Sequence, residues 1–283
     1  MNIALLLSGG TGVRLGSNVP KQYIEISGRP VFSWCLEALA DHEDIDGIQI
    51  VADSSWHGTI KAWWENSAVK GEQGFSNEEQ EQKTIKNEQE QKKQEQRKQE
   101  QRKQEQELHK KEKIRRKFRG FSAPGENRQL SILHGLLDIQ SYAPEDAYIF
   151  IHDAARPCLS AKQIADCIRG AAGHDGAMPV LPMKDTVYSS LDGKTVAGLL
   201  DRSTIYAGQA PEVFLLGKYL KANQVLLPEK ILKINGSAEP AVMAGMDIAM
   251  IPGDEGNFKI TTKADLERFT QIVVQACHHE KSR

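Results

Sequence analysis

The residues best suited to chemistry lie at the start of the chain. An apolar run, Ile3-Ala4-Leu5-Leu6-Leu7, empties into a loop containing Gly9, Gly10, Gly12 and Gly16, and the cations Arg14 and Lys21 follow seven residues apart. Glycines let backbone N–H groups close on an anion with no Cβ atoms in the way. A glycine-lined turn carrying two fixed positive charges suits a triphosphate. Further on, Ala147 to His152 reads as a strand and Asp153 follows it. A carboxylate at the C-terminal end of a parallel strand sits where α/β proteins bind ligands. Mg²⁺ takes one or two carboxylates together with phosphate oxygens, which makes Asp153 a candidate metal contact.

Three kinds of glycine loop compete for the first stretch. A phosphate-binding Walker loop needs Gly-Lys-Ser/Thr, and no such tripeptide follows Gly16. A dinucleotide fingerprint needs G-x-G-x-x-G opening directly into a helix. Here one residue too many separates Gly12 from Gly16, and Pro20 interrupts the region. The third kind is a nucleotidyltransferase loop. Gly9-Gly10-Thr11-Gly12-Val13-Arg14-Leu15-Gly16, then Pro20-Lys21-Gln22-Tyr23 and Gly28-Arg29-Pro30, resemble the signature of the sugar- and polyol-phosphate cytidylyltransferases, with Ser8 where that family usually has alanine.

The resemblance continues along the chain in the family's order. It takes in Gly125, Arg128, Gln129, Ser131, Gly135 and Leu136, then Asp153-Ala154-Ala155-Arg156-Pro157, then Lys184-Asp185-Thr186 and Asp201-Arg202-Ser203. Near the end come Asn257 and Lys259-Ile260-Thr261. Two places depart from the pattern: Ala210 and Glu212 stand where threonine and glutamine are usual, and Asn235-Gly236-Ser237-Ala238 lacks two acidic residues.

The resemblance implies transfer of CMP from CTP to a polyol phosphate with release of pyrophosphate. In one branch of the family the acceptor is 2-C-methyl-D-erythritol 4-phosphate, of isoprenoid precursor synthesis; in another it is ribitol 5-phosphate, of cell-wall synthesis. Lys184-Asp185-Thr186 and Ala154-Ala155-Arg156-Pro157 lean toward the first. By resemblance, Arg14, Lys21 and Lys259 carry catalysis by neutralising the phosphates. Ser8, Gly9, Gly10, Thr11 and Gly12, with Gly125, Arg128, Ser131 and Ala154, hold the nucleotide. Arg156, Lys184, Thr186 and Arg202 bind the acceptor, and Asp153 holds Mg²⁺. Ser131 and its neighbouring backbone groups have the donors and acceptors to read a pyrimidine edge. A hairpin over 187–200 is, in the relatives, an arm exchanged within a homodimer. The competing class is a nucleotide-binding protein without catalysis, against which the retention of Arg14, Lys21 and Lys259 counts.

The elements that must position these residues alternate. Buried strands are expected at Ile3 to Leu7, Ile45 to Ala52, Ala147 to His152 and Gly176 to Leu181. Helices are expected at Val31 to Ala40, Trp56 to Trp64, Ile132 to Ile139, Lys162 to Ala171 and from Asp265 onward. This alternation predicts an α/β fold of Rossmann-like design, a mostly parallel sheet with helices on both faces. Asp192-Gly193 between strand-like runs signals the hairpin.

One region does not fit. From about residue 72 to 117 the unit Lys-Gln-Glu-Gln-Arg occurs at Lys93–Arg97 and Lys98–Arg102, with a near copy at Lys103–Glu107. A five-residue period matches neither heptad nor strand, and almost nothing apolar is there to bury, so the stretch reads as a low-complexity insertion in a single domain. The chain of 283 residues carries a net charge of −2, which speaks against a general nucleic-acid binder. Cys35, Cys158, Cys167 and Cys277 form no CxxC pair or zinc spacing, as expected in a reducing compartment. No run approaches the ~20 apolar residues of a membrane span, so a cytoplasmic protein without membrane or nucleic-acid partners is expected.

Overall fold

A computed structural model of the chain describes residues 1–10, 19–65, 98, 101–102 and 104–281. Its first half runs β1 (Asn2–Leu7), α1 (Phe32–Asp41), β2 (Gly47–Val51), α2 (His57–Glu65), α3 (104–117), β3 (Phe118–Ser122), α4 (Arg128–Gln140) and β4 (Tyr148–Asp153). The second half runs α5 (Ala161–Ala171), β5 (Gly176–Pro182), β6 (Val187–Ser189), β7 (Gly198–Leu200), β8 (Tyr206–Gly208) and β9 (Glu212–Leu215). It closes with α6 (Leu216–Gln224), α7 (Glu239–Met243), β10 (Ile248–Pro252) and α8 (Lys263–Lys281).

Side chains alternate across a strand, so β1 presents Ala4 and Leu6 to one face and Ile3 and Leu5 to the other, all fully buried. The first face packs on α1, α2 and α5 through Phe32, Leu36, Leu39, Ile60, Ile164 and Cys167. The second packs on α4 and α6 through Ile132, Leu136, Tyr219 and Leu220. The helix on the second face lies very close: a Cβ on Gly135 would collide with the side chain of Leu5. A larger residue there would push α4, and the site residues at its start, off the sheet.

The sheet runs in the order β8-β5-β9-β4-β1-β2-β3, with β10 also beside β5. β1 is parallel to both β2 and β4, β2 to β3, and β10 to β5, while β8 and β9 enter antiparallel. The expected α/β design, with helices on both faces, is the one formed. The chain builds outward from β1 to β2 and β3 and then returns to the other side of β1 as β4. Strand order therefore reverses between β1 and β4, and open α/β sheets bind ligands beyond the strand ends at such a point. Leu7 and Asp153 are register partners there.

Four short strands, β3, β8, β9 and β10, escape the sequence reading. β9 opens on the charged Glu212 and is too short to show alternation. The expected hairpin forms as β6 and β7. Its connection spans 190–197 rather than two residues, with Asp192 Oδ1 accepting from Lys194 N and Thr195 N and Gly193 at φ 69°.

The insertion expected over about 72–117 is corrected at its C-terminal end. Residues 104–117 are helical, and Ile114 is buried in the core beneath α1 and α2. Lys113 pairs with Asp41 at 3.2 Å, and Lys117 Nζ donates to the His42 carbonyl at 2.6 Å. Two apolar residues among many charges, Leu108 and Ile114, give no periodic signal, yet the buried Ile114 anchors these turns. The first repeat, Lys93–Arg97, lies outside the described residues, as do 99–100 and 103, whereas 104–107 of the near copy belong to α3.

Candidate active site

The C-terminal ends of β1, β2 and β4 open onto a cavity of about 670 Å³. It is lined by Gly9, Gly10, Lys21, Gly125, Arg128, Ser131, Asp153 and Lys259, residues from distant parts of the chain that the fold brings together. Lys21 stands on a single turn, Lys21–Tyr23. The next residue, Gln22, is buried and donates through Nε2 to the carbonyls of Ser8 and Gly10, both at 2.8 Å, tying that turn to the glycine loop. Tyr23 OH donates to the Ser8 carbonyl at 2.9 Å, and its ring stacks on Trp56 with centroids 4.1 Å apart.

On the opposite wall, Asn127 caps α4 by accepting from Leu130 N at 2.8 Å. Ser131 Oγ donates to the Asn127 carbonyl and accepts from Gly125 N, closing the turn between them. The first helical residue, Arg128, then faces the end of β4.

Asp153 is the centre of the charge arrangement. Oδ1 takes Arg128 at 3.2 Å; Oδ2 takes Lys259 at 3.0 Å and lies 3.6 Å from Arg156 Nε. Burial opposes its ionisation, but Arg128, Lys259 and Arg156 together outweigh that and hold the carboxyl far below the usual range. Glu212 stands behind Arg128 at 3.9 Å. Burial pushes its carboxyl up to about 7 against the pull of Arg128. His152, also buried, is pushed down to about 4 by desolvation and is neutral at physiological pH. Its Nε2 meets the Arg156 carbonyl at 3.0 Å, a structural role.

Lys259 is held by its backbone. Ile260 N donates to the Ala155 carbonyl at 2.8 Å, and the fully buried Asn257 donates through Nδ2 to the Ala210 carbonyl at 2.7 Å. Gln209 bonds both backbone groups of Asp254, its Oε1 accepting at 2.9 Å and its Nε2 donating at 3.0 Å. The contact that Ala210 makes to this segment is therefore through its backbone, which alanine supplies as well as threonine. In the 235–238 segment the Asn235 N–H donates to Glu239 at 2.9 Å, so a carboxylate serves this loop from one position further along.

Several residues expected at the site stand elsewhere. The Ser8 hydroxyl donates to Tyr23 OH at 3.0 Å and is buried away from the cavity. Ala154 knits the strand ends, its N–H donating to the Leu7 carbonyl at 3.0 Å. Arg156 lies behind the lining, donating to the Asn257 carbonyl at 2.7 Å. Lys184 pairs with Glu255, Arg202 donates to the Lys184 carbonyl at 2.8 Å, and neither these two nor Thr186 lines the cavity of its own chain. Thr11, Gly12 and Arg14 lie outside the described residues. The sequence reading gave no role to Gln22, Asn127 or Thr261, which also line the cavity. Gln22 follows the quoted Lys21 and Thr261 stands two residues after Lys259, and that nearness is the available signal.

Among the described residues no group of three or more His, Cys, Asp or Glu side chains could hold a metal ion. At Asp153, whose oxygens Arg128 and Lys259 hold here, a cation would find one carboxylate and would draw its remaining ligands from phosphate and water, as Mg²⁺ does.

Comparison with known proteins places this arrangement. The family model described as IspD, 2-C-methyl-D-erythritol 4-phosphate cytidylyltransferase, matches residues 2–80 and 98–275. The chain is similar to the 2-C-methyl-D-erythritol 4-phosphate cytidylyltransferases of Thermotoga neapolitana, 29% identical over 94% of each chain, and Rubrobacter xylanophilus, 29% identical over 93% of this chain and 91% of that one. Its fold is similar to that of 4-diphosphocytidyl-2C-methyl-D-erythritol synthase from Anaerococcus prevotii, with a TM-score of 0.68 and 19% identity over 97% of this chain and 96% of that one.

Proposed function

The chain belongs to the IspD, 2-C-methyl-D-erythritol 4-phosphate cytidylyltransferase family, and from that premise we propose how its cavity carries out the transfer. The protein is a cytidylyltransferase: it moves CMP from CTP to 2-C-methyl-D-erythritol 4-phosphate and releases pyrophosphate, a step of isoprenoid precursor synthesis. The observation that carries the reading is the convergence of Lys21, Arg128 and Lys259 on one cavity at the reversal of strand order.

An oxygen of the acceptor phosphate attacks the α-phosphorus of CTP; a P–O bond forms to the acceptor as the bond to pyrophosphate breaks. The attacking oxygen is already ionised, so no general base is needed, and the barrier is set by the negative charge crowded at the centre. Fixed cations that face this charge lower the barrier most. Lys259 serves the α-phosphate, while Lys21 and, from the glycine loop, Arg14 serve the phosphates that leave. Asp153 would hold Mg²⁺, which when bound neutralises phosphate oxygens and fixes their geometry. The base lies toward Gly125 and Ser131, where the turn at the start of α4 offers backbone groups.

The acceptor-binding residues Lys184, Thr186 and Arg202 reach a site as part of an arm. β6 and β7 expose Tyr188 and Leu199, and the connection between them exposes Leu191, 97% accessible. An isolated two-stranded ribbon with such a surface is marginal alone. A second copy covers it in a homodimer, and Arg202 then serves the partner's site.

Pyrophosphate release measured with CTP, UTP, ATP and GTP, each with 2-C-methyl-D-erythritol 4-phosphate, tests the reading. CTP should exceed the others by at least about tenfold in kcat/KM, a difference of ~1.4 kcal/mol. Equal use of a purine nucleotide would overturn it.

A further inference from the structure

We infer that Glu212 is an internal counter-ion that competes with the incoming nucleotide for Arg128 and so sets how tightly the site holds a triphosphate. The inference rests on the triphosphate reading of the cavity and adds to it a residue with no place in the reaction as described above. Glu212 opens β9, and antiparallel pairing sets it opposite Ile151, two residues before Asp153 on β4. Its side chain is buried in the sheet and does not line the cavity. It approaches Arg128 from behind, Oε2 to Nη2 3.9 Å, while Asp153 Oδ1 holds the same nitrogen at 3.2 Å. Arg128 does line the cavity. One guanidinium is thus clamped between two carboxylates on the protein side and faces the ligand on the other.

The two carboxylates are not equivalent. Asp153 is also served by Lys259 and Arg156, so it stays neutralised if Arg128 turns to a phosphate. Glu212 has its ion pair with Arg128. A phosphate that draws Arg128 forward weakens that pair and leaves a buried carboxyl that must either stay charged where the interior screens charge poorly or take up a proton, and both are costly. While ionised, the same group also repels the triphosphate directly. Glutamine, the residue usual here in the family pattern, has the same shape without the charge.

The test compares the full-length protein with its Glu212→Gln variant by calorimetric titration of CTP and of inorganic tripolyphosphate, a probe that needs the cations but no base. Glu212→Gln should bind both about three- to tenfold more tightly, the scale of one partly screened ion pair. KM for CTP should fall by a similar factor, with kcat changing less. In an Arg128→Met background the gain should disappear, since the competition runs through that guanidinium. Unchanged or weaker tripolyphosphate binding by Glu212→Gln overturns the inference, as does absence of binding in both proteins. A gain that persists without Arg128 overturns the clamp. A purely structural Glu212 would move the melting temperature and leave both affinities in place. Should tripolyphosphate tighten while CTP proves no better a substrate than the other nucleotides, the counter-ion stands and the cytidylyltransferase reading falls.

Discussion

Lys259 Nζ lies 3.0 Å from Asp153 Oδ2, so a residue near the C-terminus is ion-paired with the last residue of β4 at the mouth of the cavity. Before a nucleotide arrives, the carboxylate balances the cation and keeps it in place. In the reaction proposed above the cation faces the α-phosphate. Lys259→Ala should therefore lower kcat by a hundredfold or more, ~3 kcal/mol, the cost of one lost charge-stabilising donor. KM for CTP should change less. Steady-state kinetics check this, and turnover within threefold of wild type would contradict the assigned role.

Glu212 predicts a pH dependence of stability. Burial, opposed by Arg128, raises its carboxyl from the usual value near 4.5 to about 7, within a field that also includes Asp153, Arg156 and Lys259. Between those values the folded chain holds a proton that the unfolded chain releases. This contribution to stability is full below about pH 4.5, declines as pH rises, and is gone above about 7. The slope is at most ~1.4 kcal/mol per pH unit. Urea unfolding of Glu212→Gln across this range should show a flatter curve than wild type. Two parallel curves would show that Glu212 does not titrate in this window.

The arm predicts sites shared between two copies. Lys21→Ala and Arg202→Ala proteins should each be impaired, and mixing them should restore part of the activity, because a hybrid dimer carries one site with both residues intact. Sedimentation showing a monomer at micromolar concentration would rule this out.

The charged stretch divides into two parts with different expected behaviour. Replacing about 72–97 with a short Gly/Ser linker should leave kcat and KM for CTP within about twofold, since loop closure costs only ~0.6 kcal/mol per doubling of length. Ile114→Ala, further along the same stretch, should cost about 2–4 kcal/mol, as for other large-to-small core changes, because Ile114 is fully buried beneath α1 and α2. Thermal and urea unfolding distinguish the two. A stability loss from the linker equal to that from Ile114→Ala would contradict the division.

Much of this molecule is legible in its sequence for a physical reason. β1 and β4 are apolar on both faces because helices cover both, so a continuous run such as Ile3 to Leu7 announces a central parallel strand. Residues that must meet a triphosphate are glycines and cations at strand ends, and Lys21, Arg128, Asp153 and Lys259 stand in short patterns beside those ends. What stays hidden is set by single contacts with no period. Ile114 is one of two apolar residues in a charged helix. The hydroxyl of Ser8 turns to Tyr23 only because the turn at Lys21–Tyr23 folds back over the glycine loop. Glu212 reads as a mismatch in a motif until pairing of β9 with β4 sets it behind Arg128. Lys184 and Arg202 stand in quoted motifs too, yet neither lines the cavity of its own chain, which a pattern along the sequence does not reveal.

Whether this cavity joins CMP to 2-C-methyl-D-erythritol 4-phosphate is decided by the product itself. The protein should be incubated with CTP, Mg²⁺ and either 2-C-methyl-D-erythritol 4-phosphate or ribitol 5-phosphate, and followed by phosphorus NMR. With the first acceptor, the coupled pair of signals of a pyrophosphate diester should grow in step with free pyrophosphate, at a rate at least about tenfold above that with ribitol 5-phosphate. Faster product formation from ribitol 5-phosphate, or CTP consumed with no diester from either acceptor, would contradict the account.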